Sequence, residues 1–139
     1  MADQLEKNKA TVRRWNEVPN TGNTSIYDEL AAASYAFRYG TSTSGIKELK
    51  AGFGPFREAF PDLQLTLDEM VAEGDKVSVR WTLRGTHKGP ILGVAATGKR
   101  VTFTGMSLYR LTGGKIVEDW AVADYLGMLQ QIGAVRQFG

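Results

Sequence analysis

The feature that most constrains this chain is a change of hydrophobic period near its middle. Up to Phe60 the apolar residues recur at helical spacing, and after Pro61-Asp62 they alternate with polar residues. Spacings of three and four indicate an amphipathic helix, whereas strict alternation is typical of a strand with one buried face. Helices followed by a run of strands favour an α+β fold over a parallel α/β fold.

The first half of the sequence predicts three helices. They cover residues 4–18, a short stretch that reaches Ala33, and residues 44–60, although two glycines and a proline within 52–55 are expected to bend or split the third. Residues 35–40 are aromatic and predict no regular element. The apolar stripes are Leu5, Val12 and Trp15 in the first helix and Ile46, Leu49, Phe53, Phe56 and Phe60 in the third.

The second half predicts a meander of strands. Its alternating segments lie near residues 63–68, 77–84, 100–111 and 115–124, and a short helix follows them. We expect a curved antiparallel sheet wrapped around the N-terminal helices, which makes a cone with a closed narrow end and an open mouth. A pocket in that mouth is the default position for a ligand site.

Composition excludes several classes of protein. A hydrophobic fraction of 42% and a charged fraction of 23% are ordinary for a soluble globular protein, and we expect a single domain over residues 1–139. The net charge of +2 is interspersed, so no basic patch suggests nucleic acid as a partner. No apolar run approaches the roughly 18 residues of a membrane span. The absence of cysteine excludes disulfides and thiolate chemistry and is consistent with a cytoplasmic location.

A series of short motifs lies between Phe60 and Gly133. In order they are Phe60-Pro61-Asp62-Leu63, Glu73-Gly74-Asp75-Lys76-Val77, Arg80-Trp81, Gly85-Thr86-His87-Lys88-Gly89, Thr97-Gly98-Lys99-Arg100-Val101, Gly114-Lys115-Ile116-Val117-Glu118-Asp119-Trp120, and Asp124 with Gln130-Gln131-Ile132-Gly133. In this order and spacing they resemble the SnoaL-like polyketide cyclase family, a branch of the nuclear-transport-factor-2-like fold. Each motif alone is a weak signal, and their arrangement over nearly the whole chain is a strong one.

The resemblance implies a cone with a buried pocket for an apolar small molecule and no metal or organic cofactor. The type members close rings on aromatic polyketides by an intramolecular aldol step, with a carboxylate as general acid/base beside a histidine. This chain has Ala121 at the position of that Asp and Ser107 at the position of that His, and Tyr35-Ala36-Phe37 replaces a pocket asparagine. Relatives assist polyketide hydroxylation, and distant ones hydrolyse epoxides, for which no converging acids and arginine are identified here.

His87 is the only histidine of the chain. It continues the inward phase of the preceding strand, where an imidazole could exchange a proton at neutral pH. Alternatively, it closes the strand end by bonding to a loop carbonyl between Gly85 and Gly89. One histidine without any cysteine lacks the ligand set of a metal site, so we expect no metal.

Three acids near the last strand are candidates for proton transfer. Asp124 is a candidate general acid/base, although its position before a short helix favours the role of helix N-cap. Asp119 faces the pocket if Ala121 does, as the position of the family's carboxylate favours. Glu118 and Asp124 face it instead if Trp120 and Val122 do, as their apolar bulk favours. The sequence leaves these two phases open.

Aromatic residues supply the candidate pocket wall. Taken singly they are typical core residues, and together they form a surface for a flat apolar ligand. Arg38 lies between two aromatic residues and could bind a carboxylate or polarise a carbonyl, or else simply be solvated. The candidate pocket residues are Trp15, Tyr35, Phe37, Arg38, Phe53, Phe56, Trp81, Ser107, Trp120 and Ala121.

Two functions are consistent with these features. The first is a cofactor-independent enzyme that acts on an aromatic polyketide-type carbonyl compound through Asp124 or Asp119, with His87 assisting, by cyclisation, isomerisation or hydroxylation. The second is a non-catalytic ligand-binding or partner module on the same fold. The second face of one strand, formed by Thr102, Thr104, Met106 and Leu108, predicts a homodimer through the sheet.

Overall fold

The computed structural model describes residues 2–137, which form five helices and six strands. The helices are α1 (Ala2–Trp15), α2 (Val18–Thr21), α3 (Ser25–Leu30), α4 (Ile46–Ala59) and α5 (Tyr125–Gln131). The strands are β1 (Ala31–Tyr39), β2 (Ser42–Ser44), β3 (Gln64–Glu73), β4 (Lys76–Thr86), β5 (Arg100–Thr112) and β6 (Lys115–Ala123). None of the helices in the described part is both long and apolar enough to cross a membrane.

The six strands form one curved, open sheet in the order β2-β1-β6-β5-β4-β3. The predicted α+β class and curved sheet are therefore confirmed. The prediction that the sheet is entirely antiparallel is wrong for one pair, because β1 and β6 run parallel while the other neighbours are antiparallel. Parallel neighbours need a long crossover connection, and here all of the chain from β2 to β5 supplies it.

Strand β1 is the longest element that the sequence prediction missed, besides the short α2 and β2. The second helix ends at Leu30 instead of reaching Ala33, and most of the stretch expected to be irregular is strand. The signal was present in Tyr35, Phe37 and Tyr39, which alternate as the inner face of a strand requires. The helix-favouring alanines before them obscured it, because pairing with β6 overrides local helix propensity.

Helix α4 runs unbroken past Pro55, contrary to the expected split. Proline removes one backbone donor and leaves the carbonyl one turn earlier, on Ala51, without its helical partner. Both Pro55 and Ala51 are exposed, so water can satisfy that carbonyl. The predicted apolar stripe of the helix packs on the core, as expected.

The core fills the concave side of the sheet. Helix α1 packs against β3 and β4, and its Val12 and Trp15 are buried there. The inner faces of the central strands follow the predicted phase. Their buried apolar residues are Val77, Val79, Trp81 and Leu83 in β4 and Val101, Phe103, Tyr109 and Leu111 in β5.

Candidate functional site

The register between β5 and β6 decides which acid faces the concave side. Asp119 lies opposite Tyr109 and Ala121 lies opposite Ser107, both of which belong to the inner face. Asp119 is only 4% exposed, whereas Val122 is 64% exposed on the outer face. The structure therefore has the phase in which Asp119 and Ala121 face the concave side, which the position of the family's carboxylate favoured. Trp120 and Val122 face the other side.

The Asp119 carboxyl is buried with one oxygen paired and one free. The Tyr35 hydroxyl donates a hydrogen bond to Oδ2 over 3.2 Å. Oδ1 is buried and has no hydrogen-bond partner within residues 2–137. Removal from water raises the pKa of Asp119 to about 7, against the smaller opposing effect of the Tyr35 hydrogen bond. Such a carboxyl can both accept and donate a proton near neutral pH.

A layer of phenols surrounds this acid. Tyr27 and Tyr35 contact the Trp15 ring, with ring centroids 4.5 Å and 5.2 Å away. Tyr109, directly opposite Asp119, accepts a hydrogen bond from Asn16 Nδ2 over 3.1 Å. Burial, and then the charge of Asp119, raise the pKa of all three phenols, which therefore remain protonated donors.

Small residues occupy the next level towards the mouth. Ser107 and Ala121, which the motif resemblance places at the positions of the family's histidine and aspartate, face each other across β5 and β6. The Trp81 indole N–H donates to Ser107 Oγ over 3.1 Å. The same indole fills the space beside Gly105, where a Cβ would overlap it. Trp81 thus fills the space beside Ser107 and Gly105 on the inner face.

The mouth holds an aromatic cavity of about 310 Å³ between α4, the β1–β2 edge and α5. Phe37 belongs to its wall and is also the register neighbour of Asp119 on the parallel strand. Phe37 therefore lines the cavity and also neighbours Asp119 in the sheet. The lining residues are Phe37, Ser44, Glu48, Leu49, Gly52, Phe53, Phe56 and Tyr125.

His87 is fully buried, facing inward as its phase predicted. Its Nδ1 lies 2.9 Å from Thr97 Oγ1 and 3.2 Å from the backbone N of Thr97, while Nε2 is buried without a partner in the described chain. The imidazole thus bonds to Thr97 and not to a carbonyl between Gly85 and Gly89, while the backbone N–H of His87 donates to Lys99 O over 2.9 Å. Asp119 aligns with Tyr109 and Val77, and the path from Val77 to His87 is roughly 30 Å along the strand. His87 and Asp119 therefore do not form one site.

Asp124 caps helix α5. Oδ1 of Asp124 accepts a hydrogen bond from the backbone N–H of Gly127 over 2.9 Å, and Asp124 is exposed to solvent. A cap of this kind satisfies a free donor of the first helical turn. The structure therefore places Asp124 outside the site around Asp119 and agrees with the capping interpretation.

Arg38 and Trp120 lie on the outer face of the sheet, which corrects the expectation that they line the mouth. Arg38 Nε donates to Glu118 Oε2 over 3.0 Å, and its guanidinium carbon lies 5.9 Å from the Trp120 ring centroid. The reason is the same register, because Arg38 is paired with Trp120 and both project away from Asp119. Glu118 also accepts from Arg110, which lowers the pKa of this carboxyl.

The predicted pocket residues thus divide into three groups. The inner group around Asp119 contains Trp15, Tyr35, Trp81, Ser107 and Ala121; the mouth contains Phe37, Phe53 and Phe56; and Arg38 and Trp120 lie outside. Sequence reasoning missed Tyr27, Asn16 and Tyr125 as site residues. The alternation of β5 predicts that Tyr109 faces inward, and this is the signal by which it could have been found as a site residue.

No group of three or more ligating side chains suited to a metal ion occurs among residues 2–137.

A curved mixed sheet that encloses a buried acid, with an aromatic mouth above it, defines a cone-shaped α+β protein of the nuclear-transport-factor-2-like class. The family model for the SnoaL-like polyketide cyclase matches residues 9–132. The chain belongs to this family, as the motifs predicted. It is 32% identical over 130 residues to the aklanonic acid methyl ester cyclase DnrD of Streptomyces peucetius, an alignment that covers 88% of each chain.

Solved structures agree with this assignment. AclR, a hydroxylase candidate from Streptomyces galilaeus, has a TM-score of 0.90 at 26% identity, over 97% of this chain and 86% of that one. IdmH, a polyketide cyclase candidate from Streptomyces antibioticus, has a TM-score of 0.83 at 26% identity, over 91% and 98%. The relatives therefore include proteins associated with ring closure and with hydroxylation.

Proposed function

We propose that this protein is a cofactor-independent enzyme of its family that acts on an apolar, aromatic polyketide-type carbonyl compound, with Asp119 as general acid/base. The observation that carries the proposal is the buried Asp119 carboxyl with Oδ1 unpartnered. Its pKa of about 7 suits proton transfer in both directions. Cyclisation is the reaction that we test first, and isomerisation uses the same first step.

The chemistry needs one proton carrier. Asp119 Oδ1 takes a proton from the carbon next to a substrate carbonyl, and the electrons of that C–H bond form an enolate. In ring closure the enolate carbon bonds to a second carbonyl carbon of the same molecule, whose C=O electrons move onto oxygen. Asp119 returns its proton to that oxygen. The steps balance without an oxidant, a reductant or an added group.

The mouth cavity supports the substrate class. The walls contributed by Phe37, Phe53, Phe56 and Tyr125 are aromatic, and ring stacking favours a flat apolar ligand. Phe37 lies beside Asp119 in register and separates the cavity from the buried acid, so this function requires the Phe37 ring to move when a substrate enters.

The direct test is Asp119→Asn, assayed by chromatography and mass spectrometry with aklanonic acid methyl ester as the first probe and related aromatic polyketide esters after it. Asparagine keeps the shape of the side chain but cannot carry the proton, so we expect turnover to fall by a factor of about 100 or more. Glu118→Gln is the matched control, because Glu118 is the adjacent carboxylate on the outer face. Full activity of Asp119→Asn would refute the proposal.

A non-catalytic ligand-binding role is the second candidate. It is favoured by Ser107 and Ala121, which replace the family's histidine and aspartate, and by the indole of Trp81 beside them. In that case an aromatic ligand quenches the tryptophan fluorescence of the wild-type protein and is recovered unchanged. Product formation that depends on Asp119 would exclude this role.

We also propose a homodimer that works in the cytoplasm. The outer face exposes Met106 at 51% and Val122 at 64%, and Leu108 and Trp120 lie beside them. Burial of this apolar surface against a second copy would remove it from water. The cytoplasmic location is consistent with a sequence that has no cysteine.

A further inference from the structure

We propose that Tyr35 is the positioning residue for Asp119: its phenol holds Oδ2 and leaves Oδ1 as the oxygen that exchanges the proton with substrate. This proposal rests on the proposed function of Asp119. The acid that Tyr35 would orient lies two residues earlier in β6 than Ala121, the position at which the resemblance places the family's carboxylate.

The parallel pairing of β1 and β6 produces this contact. Both strands run towards the mouth, and Phe37 is level with Asp119. Tyr35 therefore lies one step deeper on the same face and reaches Asp119 from the narrow end, over 3.2 Å. Ala121 lies on the mouth side of the acid and has only a methyl side chain. The hydrogen bond thus occupies the oxygen that a substrate would not approach.

The phenol is itself held in place. Tyr35 is 6% exposed and its ring lies against Trp15, with centroids 5.2 Å apart. Packing of this kind fixes the position of the hydroxyl and, through it, the rotation of the Asp119 carboxyl. A carboxyl with a fixed rotation presents one oxygen in one direction, which general acid/base catalysis requires.

No cation competes with Tyr35 for this role within the described chain. Arg38 and Arg110 form their ion pairs with Glu118 on the outer face. The titratable groups that face Asp119 are all phenols: Tyr35 from β1, Tyr27 from α3 and Tyr109 from β5. The last residue of helix α1, Trp15, and the residue that follows it, Asn16, also belong to this layer, and neither of them titrates.

Tyr109 provides a matched comparison. It is buried, lies directly opposite Asp119, and uses its hydroxyl on Asn16. Tyr109→Phe therefore removes a phenol from the same layer without removing the hydrogen bond to Asp119. Tyr35→Phe removes that bond and little else.

The test measures the titration of Asp119 by carboxyl ¹³C NMR in the protein without substrate, with the resonance assigned through Asp119→Asn. We expect Tyr35→Phe to raise the midpoint by about one pH unit, since a hydrogen bond to a charged group is lost. Tyr109→Phe should leave it near the wild-type value. In the turnover assay, Tyr35→Phe should lower kcat about tenfold with little change in KM, and the acid limb of the pH profile should move with the NMR midpoint.

An unchanged midpoint in Tyr35→Phe, or an equal shift in Tyr109→Phe, would overturn the proposal. Site-specific 3-fluorotyrosine at position 35 gives a second test that does not depend on the phenylalanine variant folding, because the more acidic phenol should move the midpoint down. Failure here differs from failure of the proposed function. If Asp119→Asn is inactive while the titration is insensitive to Tyr35, only the positioning role is lost.

Discussion

At the scale of single residues, the ionisation of Asp119 couples to folding. Burial keeps the pKa of Asp119 at about 7 in the folded state, against 3.8 for the ordinary carboxyl. The folded protein therefore holds a proton over a pH range in which the unfolded chain has released it. By linkage, the free energy of unfolding falls as pH rises from about 4 to about 7 and then levels off.

The size of this effect is predictable. A difference of about three pH units corresponds to roughly 4 kcal/mol. Asp119→Asn removes this titration. The free energy of unfolding of the variant minus that of the wild type should therefore increase by about that amount as pH rises from acidic to mildly alkaline. Urea unfolding at a series of pH values measures the difference directly. Two curves that stay parallel would show that the carboxyl is not desolvated in solution.

At the scale of elements, the Trp81 side chain of β4 lies across its neighbour β5 at Gly105, and this arrangement requires a glycine there. A Cβ at Gly105 would overlap the Trp81 indole and the backbone oxygen of Val122. We expect Gly105→Ala to destabilise the protein by about 1–3 kcal/mol, because the indole must move and its hydrogen bond to Ser107 is strained or lost.

Gly52→Ala is the control for this prediction. Gly52 lies inside α4 with nothing near the position of an added Cβ, so alanine there should stabilise the helix by about 0.5–1 kcal/mol. Chemical denaturation of both variants compares one substitution in two environments. Equal effects would show that the Trp81 contact does not constrain Gly105.

The sequence predicted the elements whose apolar residues recur with a clear period. It failed where pairing with a strand distant in sequence decides whether a strand forms or which way its side chains face. Strands β3, β4 and β5 and the stripe of α4 followed directly from apolar spacing. Strand β1 was obscured by the alanines before Tyr35, and the phase of β6 by the apolar bulk of Trp120 and Val122, which lie outside. The contact from Tyr35 to Asp119 joins residues 84 positions apart, and no local pattern encodes it.

At the scale of the whole molecule, the exposed apolar outer face of the sheet is the surface that we propose for association. If it is a dimer interface, Val122→Lys should place a charge in an apolar contact and produce monomers. Sedimentation velocity at micromolar concentration distinguishes the two states. Lys47→Glu in α4, which alters an exposed charge away from the sheet, serves as the control. A wild-type protein that sediments as a monomer would refute the dimer.

The parallel strand pair also has a consequence for how the chain matures on the ribosome. Strand β1 emerges well before one of its two partners, β6, because β2, α4 and β3 to β5 lie between them in the chain. Until then β1 has an unsatisfied backbone edge, and non-local pairing of this kind is slow and prone to aggregation. The Asp119 carboxyl meets the Tyr35 phenol only after the chain has grown by the 84 positions that separate them, so this pair forms late relative to the strand that supplies the phenol.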